Sequence, residues 1–500
     1  MSERYQAAKP GKTPGAFPKV PGEFEDGLPW PRRLWAALTV LITITMSVLD
    51  SSIANVALPT IAESLKASPS SAVWVVNAYQ LALMMTLLPL ASLGDIHGYK
   101  RINLIGLSVF TLASLGCALS TSLPMLAAMR ALQGVGAAGL MSVNAALIRS
   151  IYPRAMLGRA LGINAFVVAT SAAAGPSVAA AILSVASWPW LFLVNLPLGL
   201  IALNLSPRVL PPNRRAPHRF DGLSALLNAL TFGFLITCID GFGHSEGYGL
   251  IGIQFAFAAI SGVFFYIRLK LSPFPMLPID LFARPVFTLS VATSVCSFIA
   301  QSLAIVSLPF YFEHDLEFSQ VTTGLLITPW PLAIAVVAPI SGHYSDRYPA
   351  GILGGIGLAA LSLGLVLLAF LPAHPGYADV AWRMTVCGVG FGIFQSPNNR
   401  AIIAAAPRER SGGAGAIIST ARLLGQTSGT ALVALVFGLA EARPGTATGS
   451  ESIAILIGAG FSAAASVVSC LRLMNFDHPG KPGPAKPVGK PGQGGGGQAP

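Results

Sequence analysis

Fourteen long apolar runs constrain this chain more than any other feature. An apolar run of about 20 residues crosses the hydrocarbon core of a bilayer as a helix, because only a helix satisfies every backbone polar group within the segment. The runs lie at approximately 34–56, 73–93, 103–121, 124–148, 160–185, 190–206, 222–241, 250–267, 287–311, 322–341, 352–371, 382–404, 413–437 and 452–471. With 53% hydrophobic and 10% charged residues among 500, and a mean hydropathy of +0.66, lipid is the solvent. A soluble enzyme is excluded. The net charge of +11 would suggest a nucleic-acid partner in a soluble chain. Here the basic residues fall almost wholly between the runs, where they set orientation.

With the N-terminus placed in the cytoplasm, the inside segments collect 25 of the 31 Lys and Arg, and the outside segments hold Lys66, Arg383 and Arg443. That asymmetry predicts a multi-pass protein of the plasma membrane, in bacteria the inner membrane, with both termini cytoplasmic. Trp35, Trp74, Trp188, Trp190 and Trp382 fall near run ends, as interfacial tryptophans do, and Trp330 does not. The first 30 residues hold Glu3, Glu23, Glu25 and Asp26 among prolines and glycines and show no signal-peptide pattern. Segments 1–33 and 476–500 are expected to be disordered and cytoplasmic, the latter being rich in Pro, Gly and Lys. The five cysteines sit inside apolar runs with no metal or disulfide spacing. The seven histidines are scattered through loops and run ends, so no catalytic or metal constellation emerges.

The chain also repeats itself. Asp95 in ASLGDIHGYKR and Asp346 in GHYSDRYP follow the second and tenth runs. At a shift of 254, Gly134 to Gly136 match Gly388 to Gly390, Asn144 matches Asn398, and Gly175 matches Gly429. Parallel repeats imply an axis along the membrane normal and a cleft between the halves. The expected organisation is a six-helix bundle over 34–206, a linker with two inserted helices over 207–286, and a second six-helix bundle over 287–475.

Six motifs in order carry a family resemblance over about residues 34–475. They are LDSSIANVALP from Leu49, the loop from Ala91, RALQGVGAAG from Arg130, Gly175-Pro176, WPWLFLVNLPLG from Trp188, and FQSPNN from Phe394. The chain resembles the major facilitator superfamily, specifically its fourteen-span drug:proton antiporter branch. The resemblance implies an all-α polytopic fold of two six-helix bundles plus two inserted helices, and alternating access. It assigns proton coupling to Asp50 and Arg130, with Gln133 beside them. Burial favours the neutral form of a carboxyl, so a group at Asp50 could take up and release a proton as the cleft opens to either side. The competing reading has Asp50 near the outer interface, capping a helix. For Arg130 the competing reading is a side chain snorkelling outward.

The resemblance further implies a conformational gate at Asp95, Lys100 and Arg101, with a second copy at Asp346 and Arg347, and an antiporter motif at Gly175 and Pro176. Ile96 and Tyr99 replace basic residues of the gate motif, Ala91 replaces its first glycine, and Pro349 stands where the second copy has glycine. Tyr79, Gln80, Gln133, Phe166, Phe298, Gln301, Phe391, Phe394 and Asn398 are candidates for a substrate cleft, helix packing being the other role open to each aromatic. Asp240, Arg400 and Arg422 are further charges within the runs, and Arg422 lies deep enough to need an internal partner.

No Walker-type GxxxxGK[ST] occurs, so the expected energy source is a proton gradient, without a cofactor. The expected function is proton-coupled export of amphipathic organic compounds, including drugs, by a monomer whose partners are substrate, protons and lipid. The alternatives are a dedicated exporter of one endogenous metabolite, such as an antibiotic or siderophore, and a non-transporting sensor or scaffold.

Overall fold

The computed structural model describes residues 26–212, 220–243, 248–272, 276–277, 279–345, 347–406, 411–441 and 449–475. Among them every regular element is helical. The first six long helices are α1 (Arg32–Val56), α2 (Trp74–His97), α3 (Tyr99–Ala118), α4 (Leu123–Ile151), α5 (Leu157–Leu183) and α6 (Trp190–Val209). Then come α7 (Gly222–Gly243), α8 (Tyr248–Leu271), α9 (Pro285–Phe310) and α10 (Gln320–Tyr344). The last four are α11 (Ala350–Ala369), α12 (Tyr377–Ala405), α13 (Ser411–Glu441) and α14 (Ser450–Asn475). Among the described residues, thirteen helices are long and apolar enough to cross a membrane. The fourteenth expected crossing coincides with α12. Its 29 residues suffice in length, but Asp379, Arg383, Gln395, Asn398, Asn399 and Arg400 lower its hydropathy.

The helices pack in two matching sets. In the first, α4 lies against α2 and α3, α1 against α5 and α6, and α3 against α6. In the second, α12 lies against α10 and α11, α9 against α13 and α14, and α11 against α14. Matching glycines permit the same close approaches. Gly134 abuts the Tyr79 carbonyl and Gly388 the Trp330 carbonyl; Gly136 abuts the Phe110 backbone and Gly390 that of Leu361. Gly175 and Gly429 correspond likewise, the first against Ser52 and the second against Ser302. The Ser52 hydroxyl donates to the Ala172 carbonyl at 3.1 Å, and the Ser302 hydroxyl to the Gln426 carbonyl at 2.9 Å. These contacts extend the sequence repeat to α1 and α9, at a shift of 250.

The two sets meet through α5 with α10 and α2 with α13, while α7 lies on α2 and α13 and carries α8. Asn228 of α7 donates to the Met85 carbonyl at 2.9 Å, and Trp74 donates to Asp240 at 3.0 Å. Asp240 thus ties an inserted helix to α2. Largely exposed apolar residues on α8, among them Phe255, Val263, Phe264 and Tyr266, form a lipid-facing surface.

The two ends of the molecule differ. At the end away from the chain termini, one continuous core joins both sets, from Ile53, Val56 and Ile61 to Leu303, Phe310 and Phe312. Polar contacts add to it: Ser70 donates through its N–H and hydroxyl to Glu441 at 3.0 and 2.8 Å, and the Ser177 and Thr328 hydroxyls are 2.9 Å apart. At the end carrying the termini the cores are separate, one around Ala36, Val143 and Leu147 and the other around Phe287, Ile402 and Ile417. The two sets close on each other at the far end and have independent cores at the terminal end.

Part of the segment 26–33, expected to be disordered, is instead packed, and Arg32 and Arg33 open α1. Leu28 is buried and its N–H donates to the Ile151 carbonyl at 2.9 Å, while Gly27 takes φ 78°, which favours glycine, against Pro153. Residues 1–25 and the 476–500 tail lie outside the described residues, as does Asp346.

Gly136→Leu is expected to lower the melting temperature of the detergent-solubilised protein, because forcing extra volume into a filled contact costs about 1–3 kcal/mol. Gly162→Leu is the control, since a Cβ there meets nothing within 4 Å.

Candidate functional site

Asp50 lies within the last two turns of α1 and is buried, as is Arg130 near the start of α4. The Arg130 Nη1 donates to Asp50 Oδ2 at 2.5 Å and to Gln133 Oε1 at 2.5 Å, and its Nε donates to the Val75 carbonyl of α2 at 2.9 Å. Gln133 Nε2 donates to Asp50 Oδ1 at 2.9 Å, and Asn195 of α6 donates to the same oxygen at 2.7 Å. Ser114 of α3 accepts from Gln133 at 2.8 Å. The guanidinium carbon sits 4.3 Å from the Tyr79 ring centroid and 5.6 Å from that of Phe192, within cation–π range. Those faces flank a cation whose Nη2 has no hydrogen-bond partner among the described residues.

An ionised carboxylate suits this arrangement, because Asp50 faces three side-chain donors. A buried ion pair holds only when its remaining lone pairs and protons are satisfied, and here helices α1, α2, α3, α4 and α6 all contribute. The structure therefore brings together Asp50, Arg130, Gln133 and Tyr79. It disfavours both competing readings of the charges, since Asp50 is 2% exposed and Arg130 is fully buried. Asn195 and Ser114 complete the cluster and were missed: both are common polar residues in apolar runs, although Asn195 lies in the quoted WPWLFLVNLPLG motif.

The matching positions of the second set hold Ala300 for Asp50, Met384 for Arg130, Cys387 for Gln133 and Trp330 for Tyr79. One backbone scaffold thus exists with the charges and without them. Trp330, anomalous as an interfacial residue, is a buried core side chain filling the place of Tyr79.

Other sequence candidates are placed differently. Phe298, Phe391 and Phe394 are corrected from cleft to core: all are buried, and Phe391 meets Phe298 and Phe394 edge-on at 5.4 and 6.0 Å. Asn398 is likewise buried, accepting from Arg472 at 2.9 Å and donating to Ser294 at 2.8 Å. Arg472, at the end of its apolar run, reads in sequence as a loop cation, yet it is 4% exposed and also donates to Ser290 at 2.7 Å. Tyr79 and Gln133 serve the ion pair, and Tyr79 lies 3.2 Å from the Ser47 hydroxyl. Gln80 accepts from Thr430 at 3.1 Å, linking α2 to α13. Gln301 is half-buried, and Phe166 is exposed on the terminal half of α5.

Among the gate residues, Asp95 and Lys100 make hydrogen bonds within the first half. Tyr99 donates to Asp95 at 2.7 Å, occupying the carboxylate at a position where the motif has a basic residue, and Gly98 at φ 107° makes the turn between α2 and α3. Lys100 donates to the Pro207 carbonyl at 2.6 Å, while Arg101 and Arg347 are exposed. Pro176 lies at the contact between sets, its carbonyl against Gly324 of α10, next to Gly175 on Ser52. Arg400 is exposed near the terminal end of α12 and donates to Ser345 at 3.0 Å.

Two matching helix sets, joined at one end and separate at the other, with a buried ion pair inside the first, define a membrane transporter. No group of three potential metal ligands occurs among the described residues. The Major Facilitator Superfamily pattern matches residues 40–430. The chain is 57% identical over 422 residues to "Uncharacterized transporter YebQ" of Escherichia coli, covering 84% of this chain and 92% of that one. It is 32% identical to "Riboflavin transporter RibZ" of Clostridioides difficile, covering 81% and 89%, and 32% identical to "Multidrug efflux pump LfrA" of Mycolicibacterium smegmatis, covering 81% of each. A solved bacterial homologue of the lysosomal transporter Spinster, in an inward-facing occupied conformation, has the same fold at TM-score 0.65 and 14% identity, covering 90% of this chain and 98% of its own. The chain belongs to the Major Facilitator Superfamily and is a multi-pass membrane transporter, not an enzyme.

Asp50→Ala and Arg130→Met, each alone, should destabilise the protein by about 3–5 kcal/mol, because each strands a buried polar group. The double variant reproduces the residues of the second set and should recover much of that loss. Thermal unfolding of the three variants measures the coupling.

Proposed function

We propose that this transporter exports amphipathic organic compounds in exchange for protons, by rocking its two helix sets about the central cleft. The observation that carries the reading is the Asp50 carboxylate, buried among Arg130, Gln133 and Asn195 in one set. The termini and the separate cores face the cytoplasm in this reading, so the cleft is open to substrate from inside. Opening of the far end would part α5 from α10 and α2 from α13 and admit water toward Asp50. Asp50 would then accept a proton, its hold on Arg130 weakening as its charge is lost. On return to the inward-open state Arg130 would re-form the pair and the proton would leave to the cytoplasm.

Similarity to a named multidrug efflux pump supports a broad substrate range, while similarity to a named riboflavin transporter supports the second reading, a dedicated exporter of one metabolite. The test is proton flux in inverted membrane vesicles given cationic, neutral and anionic amphiphiles. Wild type should release protons on substrate addition, and Asp50→Asn, matched for amount of folded protein, should not. An unchanged response in Asp50→Asn would remove that residue from coupling, and a response to one compound alone would favour the dedicated exporter. Arg130→Lys should also impair the flux, since a point ammonium cannot serve Asp50, Gln133 and the Val75 carbonyl together.

A further inference from the structure

Arg422 stands near the middle of α13, a helix of 31 residues. It is the one charge of the run interiors that the architecture leaves unused. Asp50 is paired with Arg130, Asp240 is tied to Trp74, and Arg400 is exposed near a helix end. Among the described residues Arg422 has no hydrogen-bond or ion-pair partner. A guanidinium cannot shed its proton, and at about 16 Å from the nearer helix end and about 28 Å from the farther its side chain cannot reach the headgroups. Its five N–H donors therefore face protein or water.

The packing of α13 fixes which way they point. Gly425 and Gly429 lie on α9, against Phe298 and Ser302, and Ala421 belongs to the core around Phe287. Leu423 packs with Tyr79 and Leu83 of α2, and Thr430 donates to Gln80. At 100° per residue Arg422 and Gln426 fall between these two stripes, in the gap between α9 of one set and α2 of the other. Both side chains are half-buried, as expected of residues lining a cleft. The repeat shows that packing does not require it: at the shift that pairs Gly175 with Gly429, Val168 and Ala172 stand for Arg422 and Gln426.

We propose that Arg422, assisted by Gln426, binds the carboxylate of an amphipathic organic acid in the cleft, so that the transporter selects organic anions over cations. This rests on the reading of the protein as an exporter of amphiphiles. A carboxylate supplies the acceptors that a guanidinium fork fits, while the apolar body of the substrate contacts the cleft wall.

The test is equilibrium binding of fluorescent pyrenebutyric acid and its uncharged methyl ester to the purified full chain in phosphatidylcholine nanodiscs. Wild type should bind the acid about tenfold or more tightly than the ester, the scale of one charge-assisted contact. Arg422→Gln should bring the acid down to the affinity of the ester, and Arg422→Lys should keep part of the preference. Equal affinity of wild type for acid and ester overturns the proposal and needs no variant. So does an equal loss of both ligands in Arg422→Gln, which would mark a packing role, and so does abolition of acid binding when phosphatidylglycerol is added, which would assign Arg422 to a lipid headgroup. Binding is read without proton exchange, so a failure of the antiport reading would leave this result standing.

Discussion

The Asp50–Arg130 pair is the interaction around which the first helix set is organised. Two opposite charges removed from water are held only by satisfying their remaining hydrogen-bonding groups, and that requirement recruits five helices. The helix contacts that let those side chains meet are made by glycines. Gly134 brings α4 onto the Tyr79 carbonyl, which also sets the Tyr79 ring beside the guanidinium, and Gly136 brings α4 onto α3, the helix that carries Ser114. Without close backbone approach, Arg130 would not reach the Val75 carbonyl and the Asp50 carboxylate together.

The repeat separates what the scaffold needs from what the chemistry needs. Gly134 and Gly388, Gly136 and Gly390, and Gly175 and Gly429 perform the same packing in both sets, so the fold depends on them in both. The residues of the ion-pair cluster do not repeat: Ala300, Met384 and Cys387 stand uncharged at the positions of Asp50, Arg130 and Gln133. The scaffold of the second copy stands without such a pair, so the architecture does not require it, and by the same reasoning it does not require Arg422, which stands opposite Val168.

Much of this was legible in the sequence because membrane constraints act on long segments. The length of each apolar run, the repeat shift of 254 and the rarity of charge within runs mark the helices, their pairing and the Asp50 and Arg130 positions. The residues that escaped are those whose role depends on azimuth. Phe298, Phe391 and Phe394 look like a cleft wall along the chain, but a turn of the helix decides between cleft and core, and packing against Gly425 and one another settles it. Arg472 sits where a loop cation would sit, yet Ser290, Asn398 and Ser469 enclose it. Asn195 and Ser114 carry no charge and so leave no trace in hydropathy.

The contacts between the two sets differ in kind from those within the first. Ser177 meets Thr328, Gln80 meets Thr430, and Ser70 meets Glu441: neutral or singly charged hydrogen bonds, each worth about 1–2 kcal/mol net, beside an apolar core. Such an interface can part when water enters, because hydroxyl and amide groups are resolvated at small net cost. The ion pair, by contrast, lies within one set, so rocking does not need to pull it apart. Its state would change instead through what the motion does to its surroundings: water reaching one side of Asp50 supplies a proton and solvates the charges together. In the proposed antiport, coupling would therefore act by altered access rather than by a charge bridge broken between halves.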